Sequence, residues 1–361
     1  MSHTKATSFL SRAQVINPPT ESDAAVVVVV VEDFSLKPSE TRSSDSVSPQ
    51  QKSELANLRT PVEEKLYQEL NYTSSSGDPD YFPYNYLINE EDACSDQPVI
   101  INIVLVAAND IKSRLRIREL WGNPTYKNVT GMKTVFLLGT TNTKKVQTNI
   151  ARESQVYHDI IQMDFTDCYK ILALKTLSLL HWVKTFCPSA RWVLKSDVDI
   201  LVNPFQLRHF LESRDEDFVC IIHPKPRVCR KVSKYCPTKW IIPRDVFDRD
   251  VYPPYCRGPA YVMRTGMAPL LFWSANKTHP FIMEDVYYTG ILAEPMRLRY
   301  FNLEGDKFPF FEKDVHQWLE SLSFLLLNIE GLNKREPPVL WNKLLGVNGL
   351  PRQDFRNRSV F

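Results

Sequence analysis

The chain has 361 residues, of which 43% are hydrophobic and seven are Trp, so it can form an enzyme-sized globular core. Its 44 basic and 42 acidic residues nearly cancel and leave a formal net charge of +2. This balance argues against nucleic acid or an anionic membrane surface as the main partner.

Residues 1–97 are predicted to be a low-complexity, mostly disordered stem, because they are rich in Ser, Pro, Thr, Asp and Glu. Within the stem, residues 81–86 carry aromatic side chains that can dock on a folded domain. The longest apolar run, at 24–31, is far shorter than the roughly 20 residues of a membrane-spanning helix. Acidic residues flank this run, which is not typical of a signal peptide, so we expect no membrane anchor in this sequence.

Strand-like and helix-like segments alternate from about residue 98 onward. The first of them is a nearly continuous β-branched run, which is typical of a buried parallel strand. In chain order the predicted elements are a strand at 99–106, a helix at 111–121, a strand at 134–138, a helix at 146–154, a strand at 160–165, a helix at 169–186 and a strand at 192–194. This alternation predicts an α/β domain with a mainly parallel twisted sheet flanked by helices.

The domain is predicted to cover residues 98–335, with a C-terminal extension at 336–361. Seven cysteines without any C-x-x-C spacing favour disulfides over a zinc site, and their odd number leaves at least one without an intramolecular partner. The pairing stays open at this point. Four Asn-x-Ser/Thr triplets are usable for glycosylation in the secretory pathway or arise by chance, and they begin at Asn71, Asn128, Asn276 and Asn357.

Two carboxylates, Asp197 and Asp199, follow the last predicted strand. Acidic pairs are common in solvated loops, but these two lie between the apolar runs 192–194 and 200–202. Burying unpaired carboxylates there would be costly without a cation. Mn²⁺ and Mg²⁺ prefer oxygen ligands and share their shells with phosphate oxygens. The pattern therefore predicts a metal site that holds a diphosphate.

Six segments, in order along the chain, carry the strongest indication of function. They read RLRIRELWG at 114–122, FLLG at 136–139, DIIQMDFTDCY at 159–169, KSDVDILVN at 195–203, YPPYCRGPAY at 252–261 and EDVY at 284–287. Together they resemble the β-1,3-galactosyltransferase and β-1,3-N-acetylglucosaminyltransferase family. Val198 departs from the middle Asp of the family's metal motif, and Cys168 stands where the family has Ser.

The resemblance implies a GT-A-type glycosyltransferase fold, a UDP-sugar donor, dependence on Mn²⁺ or another divalent cation, and inversion at the anomeric carbon. Asp199 would coordinate the metal, and Asp197 would assist it or hold the ribose. His316 is a further candidate ligand, with a surface helix histidine as the alternative. Arg114, Arg118 and Asp164 are assigned to the donor site. Structural ion pairing is an equal alternative for the two arginines.

Inversion in a single displacement requires a base that takes the proton of the acceptor hydroxyl. Asp285 is assigned this role by its match to the family's Glu-Asp-Val segment; the alternative is an acid that interacts with a helix dipole. The residues assigned to the acceptor side, with core packing as their alternative, are Trp240, Tyr255, Gly258 and Glu284.

The sequence thus predicts an enzyme that moves galactose or an N-acetylhexosamine from a UDP-sugar to a glycan on a glycoprotein or glycolipid. The alternative is an inactive homologue that binds nucleotide sugar or assists a partner enzyme. The resemblance implies the Golgi lumen as its location, and a homo-oligomer is compatible with the sequence.

Overall fold

The structure is a computed structural model that describes residues 26–27, 78, 80–168, 171–303, 307–309 and 321–355. Within these residues the strands are β1 Val26–Val27, β2 Tyr86–Ile88, β3 Ile100–Leu105, β4 Met132–Thr140, β5 Ile160–Thr166, β6 Trp192–Asp197, β7 Ile200–Val202, β8 Phe218–His223, β9 Tyr255–Arg264, β10 Tyr300–Asn302 and β11 Leu326–Asn328. The α-helices are α1 Ile111–Glu119, α2 Lys127–Thr130, α3 Lys144–Tyr157, α4 Leu172–Phe186, α5 Pro204–Glu212, α6 Met267–Ala275, α7 Glu284–Val286 and α8 Glu336–Val347.

The main sheet of the described residues has the strand order β1-β10-β8-β9-β6-β3-β4-β5-β2. Its centre, β6-β3-β4-β5, is parallel, while β9 runs antiparallel to both of its neighbours. A second, small sheet pairs β7 with β11. The α/β architecture with a mainly parallel sheet that the sequence predicts is therefore confirmed, and the predicted strand 192–194 extends to Asp197.

Both faces of the sheet are covered, which explains the continuous apolar strands. All six residues of β3 are buried. One face packs against α4 and α6 through residues such as Trp182 and Phe272, and the other packs against α1, α3 and α8. Trp341 of α8 is fully buried next to Tyr126 and Phe205, so the predicted C-terminal extension contributes to this second core.

Part of the predicted stem packs on the domain. β2 pairs antiparallel with β5, and the Phe82 ring stacks on His181 with 4.0 Å between centroids. Cys94 forms a disulfide with Cys187. The predicted docking of the aromatic tract is confirmed, and the described residues from 80 onward form part of the folded unit.

The prediction of disulfides is also confirmed. Besides Cys94–Cys187 the structure contains Cys220–Cys256 and Cys229–Cys236, and Cys168 is the free cysteine of the seven. Among the described residues, no helix is both long and apolar enough to cross a bilayer.

The glycosylation triplets lie in different environments. Asn276 is buried, and its Nδ2 donates to the carbonyl oxygen of Tyr81 at 2.9 Å, so it is not available to carry a glycan in the folded domain. Asn128 is exposed. Asn71 and Asn357 lie outside the described residues.

Candidate active site

The acidic turn, residues 197–199, connects β6 to β7 at the carboxyl end of the parallel strands. In open α/β sheets ligands bind at this edge. The turn is held from two sides, because Ile329 donates its backbone N–H to the carbonyl of Asp199 at 2.8 Å and the Arg116 guanidinium donates to the carbonyl of Val198 at 2.9 Å. The sequence did not indicate this role for Arg116.

The side chain of Asp199 has surroundings that would suit a bound cation. Its Oδ1 is buried and accepts no hydrogen bond among the described residues. Burial and the neighbouring Asp197 raise the pKa of the Asp199 carboxyl. An orphaned carboxylate oxygen of this kind fits a hard divalent cation.

Lys195 joins the acidic turn to the neighbouring strand β9. Its Nζ is 2.8 Å from Asp197 Oδ1 and donates to the Gly258 carbonyl at 2.5 Å. Glu284 Oε2 lies 3.7 Å from the same nitrogen. Burial alone would lower the Lys195 pKa, but the two carboxylates outweigh it and hold the pKa above its ordinary value. Lys195 is therefore a buried cation paired to both sides of the site.

Two adjacent acids at α7 have different surroundings. Glu284 is buried, and its Oε1 accepts hydrogen bonds from Tyr261 at 2.7 Å and Thr176 at 2.8 Å. Among the described residues, Asp285 accepts hydrogen bonds only from backbone N–H groups, those of Gly258 at 3.0 Å and Val286 at 2.9 Å. Burial and the charge of Glu284 raise the pKa of Asp285 to about 7. Glu284 is thus fixed by side-chain donors, while Asp285 can exchange a proton near neutral pH.

Gly258 provides the close approach that Asp285 needs. A Cβ at this position would lie 3.0 Å from Asp285 Oδ2 and 3.3 Å from its Cγ. Any side chain here would crowd the carboxylate, so the glycine lets β9 donate its N–H directly to the acid.

A cavity of about 400 Å³ brings most of the predicted residues together. Its wall includes predicted site residues from the acidic turn, the β8–β9 connection, β9 and α7, namely Asp197, Trp240, Tyr255, Gly258, Glu284 and Asp285. The remaining lining residues, which the sequence reasoning did not assign, are Leu172, Lys195, His223, Lys239, Arg257, Pro259, Ile282 and Met283. Asp199 is not among them, although it belongs to the same turn as Asp197.

Arg114 and Arg118 lie in a buried ion-pair cluster and do not line the cavity. Arg114 Nη2 is 2.7 Å from Glu153 Oε2, and Arg118 Nη1 is 2.6 Å from Glu153 Oε1. Arg118 also pairs with Asp159 at 2.7 Å. These contacts are the structural ion pairing that the sequence left as an alternative, and a donor contact for the two arginines stays a prediction.

Asp164 is also not part of the cavity wall. Asp164 accepts a hydrogen bond from Asn85 at 2.8 Å, and its donor contact stays a prediction. His316 lies outside the described residues. Lys175 Nζ lies 2.7 Å from Asp167 Oδ1 in a buried ion pair. Asp167 in turn accepts the N–H groups of two residues at the ends of neighbouring strands, Ala108 and Gly139.

Comparison with known proteins identifies the family of this chain. A family profile described as Galactosyltransferase matches residues 112–304. The chain is 30% identical to beta-1,3-galactosyltransferase 1 of Mus musculus over 274 residues, covering 72% of this chain and 78% of that protein. It is also 30% identical to beta-1,3-galactosyltransferase 2 of Homo sapiens over 275 residues, covering 73% and 62%.

A solved glycosyltransferase involved in glycosylation of the major capsid of PBCV-1 aligns with 67% of this chain and 98% of its own, at 13% identity and a TM-score of 0.36. This likeness is too weak to carry an inference. The profile match, in contrast, contains the acidic turn, β9 and Asp285. The chain therefore belongs to the galactosyltransferase family of hexosyltransferases.

Proposed function

We propose that this enzyme transfers galactose or an N-acetylhexosamine from a UDP-sugar to a glycan acceptor on a glycoprotein or glycolipid, forming a β-1,3 linkage with inversion. The observation that carries the proposal is the shared cavity: Asp197 of the acidic turn and Asp285 of α7 line the same 400 Å³ space. A donor held at the first and an acceptor hydroxyl held at the second would meet there.

In this proposal Asp285 is the general base. The oxygen of the acceptor hydroxyl attacks the anomeric carbon, the bond from that carbon to the phosphate oxygen breaks, and UDP leaves with the electron pair. Asp285 takes the hydroxyl proton. A pKa of about 7 suits this task, because about half of the carboxylate is deprotonated at neutral pH and it is basic enough to accept a proton.

The acidic turn would hold the donor. Asp199 would ligate a divalent cation, which we expect to be Mn²⁺, and Asp197 would assist it while paired to Lys195. No group of three His, Cys, Asp or Glu side chains that could hold a metal occurs among the described residues, so phosphate or water oxygens would complete the shell. Such a cation, when bound, neutralises charge that develops on the departing UDP.

The acceptor would lie along β9 and the residues before it. Trp240 is 39% exposed at the cavity, so its ring face can receive a sugar. Tyr255 is buried in the wall with its ring next to His223, and Gly258 leaves room beside Asp285. Glu284 would act indirectly, because its charge raises the pKa of Asp285.

We also propose an oxidising compartment, such as the Golgi lumen, as the location of this chain. Three disulfides support it, since such bonds persist in the secretory pathway and are rare in the cytosol. A mobility shift on endoglycosidase treatment of the expressed protein would test this, with Asn128 as the exposed described acceptor.

The function is tested by measuring UDP release from UDP-galactose and UDP-N-acetylhexosamines with Mn²⁺ and a panel of acceptors. We expect Asp285→Asn to lower kcat by about 100-fold or more. We expect Asp199→Ala to remove the increase in UDP release that Mn²⁺ produces. Asp92→Asn, at an exposed carboxylate that does not line the cavity, is the matched control. Unchanged turnover in Asp285→Asn would refute the assignment of the base.

A further inference from the structure

Positive charge is concentrated in a segment of the chain next to the cavity. The basic segment, residues 224–240, contains six Lys and Arg residues and no Asp or Glu, whereas the whole chain has a net charge of +2. These residues are Lys225, Arg227, Arg230, Lys231, Lys234 and Lys239. The segment follows β8 in the connection to β9, and its last two residues, Lys239 and Trp240, line the cavity.

The basic segment is a built structure rather than an extended loop. The Cys229–Cys236 disulfide closes it at its centre. Arg230 fixes it to the chain that follows, because its guanidinium donates to the carbonyl oxygens of Ile242 and Phe247, each at 2.8 Å. Of the six cations, Arg230 therefore has a structural role, and the other five belong to exposed residues.

Several of these exposed cations lack a carboxylate partner. Among the residues that the structure describes, Lys225, Lys231 and Lys234 form no ion pair. The next stretch of chain differs, since Arg244 pairs with Asp250 at 2.5 Å and Arg249 pairs with Glu294 at 2.9 Å. Ion pairs therefore occur just beyond the basic segment, whereas these three lysines within it form none among the described residues.

Exposed apolar groups accompany these cations. Val232 is 66% exposed, Tyr235 is 79% exposed, and Trp240 is 39% exposed. Solubility alone would explain a solvated basic surface, but it does not explain the exposed aromatic rings. Aromatic faces beside cations at a cavity suit a sugar chain that carries negative charge, because the ring faces stack on the sugars and the cations attract the charged groups.

We propose that the acceptor of this enzyme is an anionic glycan, whose carboxylate or sulfate groups contact the basic segment while its terminal sugar enters the cavity. The inference rests on the proposed function and adds the chemical class of the acceptor. Carboxylate and sulfate groups share the same attraction to lysine, and the test separates them. Lys231, Lys234 and Lys239 are the contacting cations.

The experiment measures direct binding, so it does not depend on turnover. A neutral oligosaccharide and its carboxylated and sulfated counterparts are titrated calorimetrically into the full chain at low and high salt. We expect at least one anionic form to bind on the order of tenfold more tightly than the neutral form at low salt, with the difference shrinking as salt screens the charges.

The preference should disappear in the triple variant Lys231→Gln, Lys234→Gln, Lys239→Gln. The matched control removes three exposed lysines elsewhere, in the variant Lys144→Gln, Lys145→Gln, Lys343→Gln, and should keep the preference. Equal binding of all three oligosaccharides, or a preference that survives in the first variant, would overturn the inference. So would binding of phosphatidylserine vesicles through these lysines without any preference among the glycans.

Failure of the inference and failure of the proposed function give different results. Transfer to a neutral acceptor without any anionic preference would overturn the inference and leave the transferase assignment standing. Anionic preference in binding without transfer to any acceptor would support the inference and count against the proposed reaction.

Discussion

Replacing Lys195 with Met tests whether one buried cation holds the two sides of the site together. The Nζ of Lys195 is 2.8 Å from Asp197 Oδ1 and 2.5 Å from the Gly258 carbonyl oxygen, and the residue is 1% exposed. Removing one partner of a buried ion pair typically costs about 3–5 kcal/mol, because the remaining charge is left uncompensated. We expect Lys195→Met to lower the free energy of unfolding by about this amount.

The assay is urea unfolding followed by fluorescence, with Lys184→Met as the control. Lys184 makes a similarly short contact, 2.6 Å, to Asp80, but the Asp80 side chain is 80% exposed. An exposed pair contributes about 0–1 kcal/mol, so the control should change stability little. If Lys195→Met lowers the free energy of unfolding no more than Lys184→Met does, Lys195 does not stabilise the fold by linking Asp197 to β9.

Two further predictions concern catalysis and the disulfides. The kcat/KM of transfer should rise with pH through about pH 7, because Asp285, as the proposed general base, would have to lose its proton to act. Asp285→Asn should remove this inflection, and a profile flat from pH 6 to 8 would contradict the proposed role. The two disulfides close loops of different length, and the entropy of loop closure predicts different losses of stability when each is removed. Removing Cys94–Cys187, with a sequence separation of 93, should lower the free energy of unfolding by about 4–5 kcal/mol. Removing Cys229–Cys236, with a separation of 7, should lower it by about 2 kcal/mol. Urea unfolding of the two variants, each with its cysteine pair replaced by serines, measures both losses of stability. A larger loss for the Cys229–Cys236 variant than for the Cys94–Cys187 variant would refute the loop-entropy argument.

The first part of the fold could be predicted from the sequence because its strands are buried on both faces. β3 has no exposed residue, so its apolar run is continuous and its type is unambiguous. The chain after residue 203 gave no comparable pattern. β10 and β11 have three residues each, too few for a period, and β9 contains Gly258 and Pro259 within its ten residues.

The candidate site could be predicted from the sequence where its residues lie close together along the chain. Asp197 and Asp199 are two residues apart, and Asp285 was identified by its resemblance to a family segment. The hydrogen bonds and ion pairs that connect these segments could not be predicted, because they join residues that are far apart in the sequence. Lys195 donates to a carbonyl 63 residues later, and Arg114 pairs with a carboxylate 39 residues later. A sequence alone could not decide between that ion pair and a donor contact.

The neighbouring acids of α7 show why residue type alone does not assign a catalytic role. Glu284 accepts hydrogen bonds from two buried hydroxyl groups, and its Oε2 lies 3.7 Å from the Lys195 Nζ, so its side chain is held in place. Asp285 receives two backbone N–H groups and is buried beside Glu284. Burial and the charge of Glu284 together raise the Asp285 pKa to about 7. Of two acids adjacent in sequence, one sets the electrostatic environment and the other is free to take up a proton.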